Sequence, residues 1–442
     1  EVAEVVLTQT QVDPNKGDKF GQTPFNLACF YGNVEVVKLL LKDKRVDVNK
    51  ANKHGVTPFH HSCVRQHTEV VKLLLNDKRV DVNKPSKNEA LTPLLSVCVK
   101  EYFEIVKILL SNERVDVNQV TPHKTTALFI ACQRGQIEIV KLLLNDKRID
   151  INAGGNQDGQ CPFFIACALG HIEIVKLLLN DQRIDINKKD LTGGATFFMA
   201  CQQGQTEIVK LLMNDKRLSI DKQDTREGTT PFHVSCKYRR IDILKLLLSD
   251  GRLNVNKAQR DGYTPFYFAC SEGDVEIVRV FLNDKRVDVN KPNGDGTTPF
   301  QIACAEGHVK IAKLLVTDER VDINRVNTLD ATAFHFICIN GHIEILECIL
   351  ASGRNVNLTK EDKLGRTPLY IAKYRSKQAQ RHQLETEKIF QMIKKNSVKI
   401  VELLESFQKN PNETRTKLRT KLGLTGKQEK KKKNFLISCF SI

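Results

Sequence analysis

The chain lacks any uninterrupted apolar run near the roughly 18 residues that a helical membrane span requires. No signal peptide opens it, and residue 1 is Glu, not Met. It has no nucleophile elbow, no paired-carboxylate cleft and no calcium-loop spacing. Gly426-Lys427 invites a phosphate-loop reading, but Lys421 stands where Gly is needed and Gln428 where Ser or Thr is needed. His and Cys residues nowhere fall at metal-ligand spacing. Together these gaps argue against a membrane-spanning protein, a metal site, a cofactor site and a familiar catalytic motif.

Charge is unevenly placed. The 442 residues hold 68 Lys+Arg against 52 Asp+Glu, a net +16. From Lys373 to Ile442 there are 18 basic and 6 acidic residues, a net +12. The first 372 residues hold 50 and 46, a net +4. The basic character therefore belongs to the C-terminal stretch, and no specific nucleic-acid face is expected on the body. With 41% hydrophobic and 27% charged residues, the composition is that of a core-forming chain.

Self-similarity dominates the sequence. An anchor, usually the Thr of a Thr-Pro-Phe-like triplet, falls at Thr23, Thr57, Thr92, Thr126, Cys161, Ala195, Thr230, Thr264, Thr298, Thr332 and Thr367, always 34 or 35 residues apart. Six residues after each of the first ten stands a Cys, from Cys29 to Cys338; Lys373 takes its place at the last. Thr followed by Pro predicts a capped helix start. A short helix ending in small residues follows, and Gly stops it in seven of ten units. Gln66, Glu101 and Arg239 stand at the other three. A second amphipathic helix comes next, as in Val34 to Leu41, then Asn-Asp-Lys-Arg and an extended Val-Asp-Val-Asn. One such unit cannot bury its own apolar face; stacked units can.

The unit resembles the ankyrin repeat, whose first helix opens Thr-Pro-Leu-His-x-Ala. The likeness runs from Glu1 to about Ala372. There are departures: the spacing is slightly longer than the family's usual 33, the motif His survives only at His60, His233 and His335, and Cys replaces the second small residue. The resemblance implies an all-α solenoid of helix-turn-helix units with finger turns. About ten full repeats are expected over residues 1–372, with a partial repeat over 1–22 and an elongated C-terminal capping repeat that starts at Thr367 and carries an insertion and capping helices over 373–409. Residues 410–442 are expected to form a basic tail. Glu1 to Leu7 aligns with Glu35 to Leu41 at an offset of 34, so a fragment or incomplete gene model is expected.

The Cys column has a simple reading. Equivalent positions in stacked helices lie about 10 Å apart, whereas a disulfide needs Cα atoms within about 7 Å. Buried, reduced thiols are therefore expected, in a reducing cytoplasmic compartment.

Within this constant frame, the two residues between Cys and the helix stop vary freely. The resemblance places them on a concave face where protein partners bind. The candidates are Phe30, Tyr31, Arg65, Lys100 and Arg134, then Gln202, Gln203, Lys237 and Tyr238, then Glu272, Glu306 and Asn340. His54 and Arg260 join them from the finger turns, whose tips also vary at Asn88-Glu89, His123-Lys124 and Asp190-Leu191. The cations come early and the carboxylates late. The expected function is a non-enzymatic, monomeric protein-interaction scaffold with no cofactor. Two alternatives remain open: a membrane-tethered adaptor, and the interaction module of a larger enzyme or signalling protein. Lys430 to Lys433 followed by Cys439 suggests weak anionic-membrane contact and a lipidation site, although Ser441 fits the prenylation pattern poorly.

Overall fold

A computed structural model describes residues 12–87, 90–191, 193–381 and 388–424. The described residues form helices and turns with one isolated bridge, Lys189 to Ala195, and no strand. Two compact units divide at Ser219 and Ile220. The first holds six helix pairs, from Pro24–Tyr31 with Val34–Lys42 to Thr196–Gln203 with Thr206–Met213. The second holds four pairs, from Pro231–Lys237 with Ile241–Ser249 to Ala333–Asn340 with Ile343–Ser352. Three further helices close it: Pro368–Arg381, Lys388–Lys409 and Pro411–Lys421.

Most first helices start at a side-chain cap, whereas most second helices start without one. Thr23, Thr57, Thr92, Thr126, Thr230, Thr264 and Thr298 each accept, through Oγ1, the N–H three residues on, at 3.1–3.3 Å. Cys161 and Ala195 cannot match this, and their helices start without a side-chain cap bond. Behind the cap, a Phe in eight of the ten pairs, Leu94 and Leu128 in the other two, and the column Cys fill the core. Phe25, Phe163, Phe232, Phe266 and Phe300 are at most 1% exposed. All ten column cysteines are buried. Nine of them, Cys201 aside, stand unlinked, and burial in apolar surroundings pushes their thiols up, Cys98 to about 12, so they stay protonated.

The turn after the first helix explains where Gly is obligatory. A Cβ on Gly32 would lie 2.5 Å from the His67 ring, and one on Gly307 would lie 2.5 Å from the His342 ring. Each of these His rings crosses the preceding turn so that Nε2 can donate to a carbonyl of the previous repeat: His67 to Phe30 O at 2.9 Å and His342 to Ala305 O at 3.0 Å. Gln66, Glu101 and Arg239 keep the same left-handed backbone, with φ of 61°, 60° and 53°. The next repeat carries Tyr102, Gln136 and Asp274 where His67 and His342 follow Gly32 and Gly307, and Arg239 pairs with Asp274 at 3.0 Å. The strained backbone costs Gln66, Glu101 and Arg239 on the order of 1 kcal/mol each.

Side chains at the loop edge tie one repeat to the next. Asn49 shows the pattern: Nδ2 donates to Arg79 O and Oδ1 accepts the Asp81 N–H, both at 2.7 Å. Asn15, Asn83, Asn118, Asn152, Asn187, Asn256, Asn290 and Asn324 make the same double bridge at 2.6–2.9 Å. A second tie comes from the loop Arg. Held by Asp two residues earlier, it donates to the last carbonyls of the previous second helix: Arg148 to Leu110 O at 2.9 Å, Arg320 to Leu282 O at 2.9 Å. These are the carbonyls a helix leaves unpaired at its C-terminus.

The last pair has no successor to supply that Arg. Arg415 and Arg419 of Pro411–Lys421 reach Leu350 O and Ala351 O at 3.4 and 3.0 Å, and Lys421 pairs with Glu347 at 2.6 Å. This helix begins the stretch expected as a basic tail, yet its cations serve the stack. At Lys373, where the Cys column ends, the side chain pairs with Glu405 of Lys388–Lys409 at 2.6 Å.

One joint breaks the Asn rule. Asp221 occupies the bridging position; its Oδ2 accepts the Asn254 N–H at 2.8 Å, while buried Oδ1 has no partner. A carboxylate cannot supply the donor that the amide supplies elsewhere. Partial burial raises its pKa, and nearby Asp250 adds to that, against the Asn254 N–H and Lys257. Asp221→Asn should therefore stabilise the protein by about 1 kcal/mol at neutral pH, read as a rise in the urea midpoint. A raised folded-state pKa means that the wild-type carboxylate is tolerated best when protonated. The gain should accordingly shrink as pH falls through that pKa. A lower midpoint for the variant would show that the amide has no acceptor there.

Candidate interaction face

The variable positions sit at the C-terminal ends of the first helices, where the chain turns outward. In the first unit, Tyr31, Arg65, Lys100, Arg134, Leu169 and Gln203 occupy the same place in six consecutive repeats, and all are exposed. Tyr31 is 66% exposed and Leu169 50%, large apolar surfaces left in water. In the second unit the same place holds Tyr238, Glu272 and Glu306, all exposed, and Asn340, half-buried. Asn340 is committed to the fold, its Nδ2 donating to Ala305 O at 2.8 Å. One position earlier, Phe30 and Gln202 are half-buried and Lys237 is exposed. Of the finger residues, His54 is exposed, while the Arg260 guanidinium donates to Thr225 O of the preceding finger at 2.7 Å.

Phe30 gathers a cluster that its sequence position did not announce. The Arg65 guanidinium lies over its ring, 4.1 Å from the centroid. Tyr31 and His61 meet it edge-on, each at 5.1 Å. Such a stack holds Arg65 in place while leaving its outer edge in water. Beside it opens a cleft of about 570 Å³, lined among others by His54, His60, His61, Ser96, Lys100 and Tyr102, with no carboxylate in its lining.

The two buried His of this cleft are neutral. Burial drives His60 and His61 down to about 4, helped by His61 beside His60 and by Arg65 beside His61. His60 also departs from the cap geometry of its counterparts. In His233, Nδ1 accepts the Thr230 N–H at 3.3 Å and Nε2 donates to Tyr263 O at 2.9 Å. His335 repeats this on Thr332 and Arg366 at 3.0 Å each. His60 instead meets Ser96 Oγ through Nε2 at 2.8 Å, and its buried Nδ1 has no partner. The signal was present in the sequence: repeat three carries Ser96 where three other repeats have Ile and two have Phe, and only repeat two doubles its His.

Among the described residues no group of three or more His, Cys, Asp or Glu side chains could hold a metal ion, and no helix is long and apolar enough to cross a membrane. Asn88-Glu89, Lys430 to Lys433 and Cys439 lie outside the described residues.

Comparison with known proteins agrees with the geometry. The family described as "Ankyrin repeats (3 copies)" matches residues 1–86, 94–190, 182–259 and 251–327. No curated protein matches the chain. Among solved structures, the chain is similar to the ankyrin repeat domain of Bcl-3, a member of the IkappaB protein family. The TM-score is 0.45 at 22% identity, over 48% of this chain and 94% of that one. With its family match spanning most of its length, the chain belongs to the ankyrin repeat family.

Proposed function

We propose that this protein is a non-enzymatic scaffold or adaptor that binds a protein partner across the first-helix face and the finger turns. The observation that carries the reading is the division of labour within each repeat. Caps, Phe, Cys, bridging Asn and loop Arg recur from repeat to repeat and are spent on the fold. The exposed positions next to the helix stop recur in place but not in identity, and Tyr31, Leu169 and Tyr238 hold apolar surface in water there. Enrichment of exposed aromatic and Arg side chains is the composition of interface anchors. The protein acts as a monomer in a reducing cytoplasmic compartment, where buried thiols persist. The basic end beyond the described residues adds a weak, salt-sensitive contact with anionic membrane.

Replacing Tyr31, Arg65, Lys100 and Arg134 together by Ala should weaken capture of a partner at least tenfold, about 1.4 kcal/mol or more. The melting temperature should stay within a few degrees, since these side chains are exposed. Titration of a captured partner, alongside thermal melts, checks both halves. Unchanged affinity would remove the face from the binding surface, and collapse of the melt would place these residues in the frame.

A further inference from the structure

In the first unit, ten of the cations that recur in the frame are neutralised within their own repeat, while Lys44, Lys78, Lys147 and Lys216 share a loop position away from the first-helix face and make no ion pair among the described residues. On the second helices Lys38, Lys72, Lys141, Lys176 and Lys210 each pair with the Glu three residues earlier, at 2.6–2.8 Å. In the loops Arg45, Arg79, Arg148, Arg183 and Arg217 each pair with the Asp two residues earlier, at 2.6–2.7 Å. Arg65, Lys100 and Arg134 differ. They stand at one equivalent position in three consecutive repeats, exposed, and no ion pair engages them among the described residues. Glu101, next in the chain to Lys100, makes no ion pair with it either. Apolar surface flanks the row at the same position, with Tyr31 before it and Leu169 after it. The cleft beside Arg65 and Lys100 likewise has no carboxylate in its lining.

The spacing of this column selects a ligand conformation. Equivalent positions in packed neighbouring helices repeat at about 10 Å. A β-strand climbs about 3.3 Å per residue, so three residues span one repeat, but its side chains alternate and every third one faces the wrong way. A polyproline II helix climbs about 3.1 Å per residue with three residues per turn, so every third side chain returns to the same face at about 9 Å.

We propose that the first unit receives an acidic segment of a protein partner in polyproline II conformation, with carboxylates at every third residue on Arg65, Lys100 and Arg134 and an apolar residue three positions beyond each end, on Tyr31 and Leu169. The register reads the same in both chain directions. The inference rests on the reading that the first-helix face binds protein and adds the chemistry of the partner. Arg65, held against Phe30, is the ordered anchor of the row, and the neutral His60 and His61 behind it add no competing charge.

The test uses the full chain and fluorescence anisotropy with a labelled peptide carrying Leu, Glu, Glu, Glu and Leu at every third position and Pro and Ser between. A control of identical composition places the three Glu side by side. The registered peptide should bind about tenfold or more tightly than the control, and the advantage should fall with added salt. The triple variant R65E/K100E/R134E should lose the registered peptide and prefer its Lys counterpart, with an unchanged melt. Equal affinity for both peptides, no binding of either, or indifference to the charge reversal would each overturn the proposal. Selection from a display library of random pentadecapeptides, long enough to hold all five anchors, separates this failure from failure of the broader reading. Enrichment of peptides without acidic register, still displaced by the face substitutions, sinks the acidic partner alone. Enrichment of no peptide at all counts against the interaction face itself.

Discussion

The double hydrogen bond from one Asn side chain to the next repeat is the contact on which the described structure depends. Its amide donates to one backbone carbonyl and accepts from one backbone N–H of the following loop, as Asn118 does with Arg148 O and the Asp150 N–H at 2.7 and 2.8 Å. These loops lie outside any strand, so their backbone groups would otherwise turn to water. An isolated hydrogen bond of this kind contributes about 1 kcal/mol. The contribution matters because it fixes register: a pair of helices can slide on an apolar face, but a bidentate amide has one seat. The loop Arg reinforces it, and the Phe and Cys columns then pack at a set offset. Asp221 is the exception that marks what the amide supplies.

Because register is held at the loop edge and through backbone carbonyls at the turn, as at Phe30 O and Ala305 O, the exposed side chains at the C-terminal end of each first helix are left to vary. Tyr31, Arg65, Lys100 and Arg134 share a position without sharing a chemistry, and substitution there leaves the core and both ties untouched. Two candidates from the same positions behave otherwise. Asn340 and Arg260 both donate to carbonyls of a preceding repeat, so a polar side chain near the face can be recruited into the frame. The C-terminal helices show the same economy. Arg415 and Arg419 occupy the carbonyls that a following repeat would have taken.

Much of the fold was legible because its signals are local and repeated. Thr-Pro fixes a helix start, Gly a stop, and a buried Cys follows from its recurrence beside Ala. The Asn of Val-Asp-Val-Asn recurs just as regularly, but its role is a contact 30 residues away, which periodicity alone does not display. The same limit hid the cleft. His60 reads as a cap in sequence, and only the neighbouring repeat's Ser96 turns it aside. The pairing of Gly with a following His was also readable, at Gly32 and His67 or Gly307 and His342, once the crossing ring is known to be its cause. The run from Glu413 to Leu422 reads as a short basic helix, but the docking of Pro411–Lys421 was hidden by its charge: a basic run reads as solvated until its acceptors, the last carbonyls of Ile343–Ser352, are seen.

The separation of frame from face is tested most directly in two adjacent repeats. Asn118→Ala and Arg134→Ala remove two polar side chains from adjacent repeats of the first unit, one half-buried and bridging, the other exposed and in no ion pair among the described residues. Urea unfolding of the full chain should show a loss of about 1–2 kcal/mol for Asn118→Ala and less than about 0.5 kcal/mol for Arg134→Ala. Equal losses, or a larger loss at Arg134, would contradict the assignment of stability to the bridging amides and of freedom to the face.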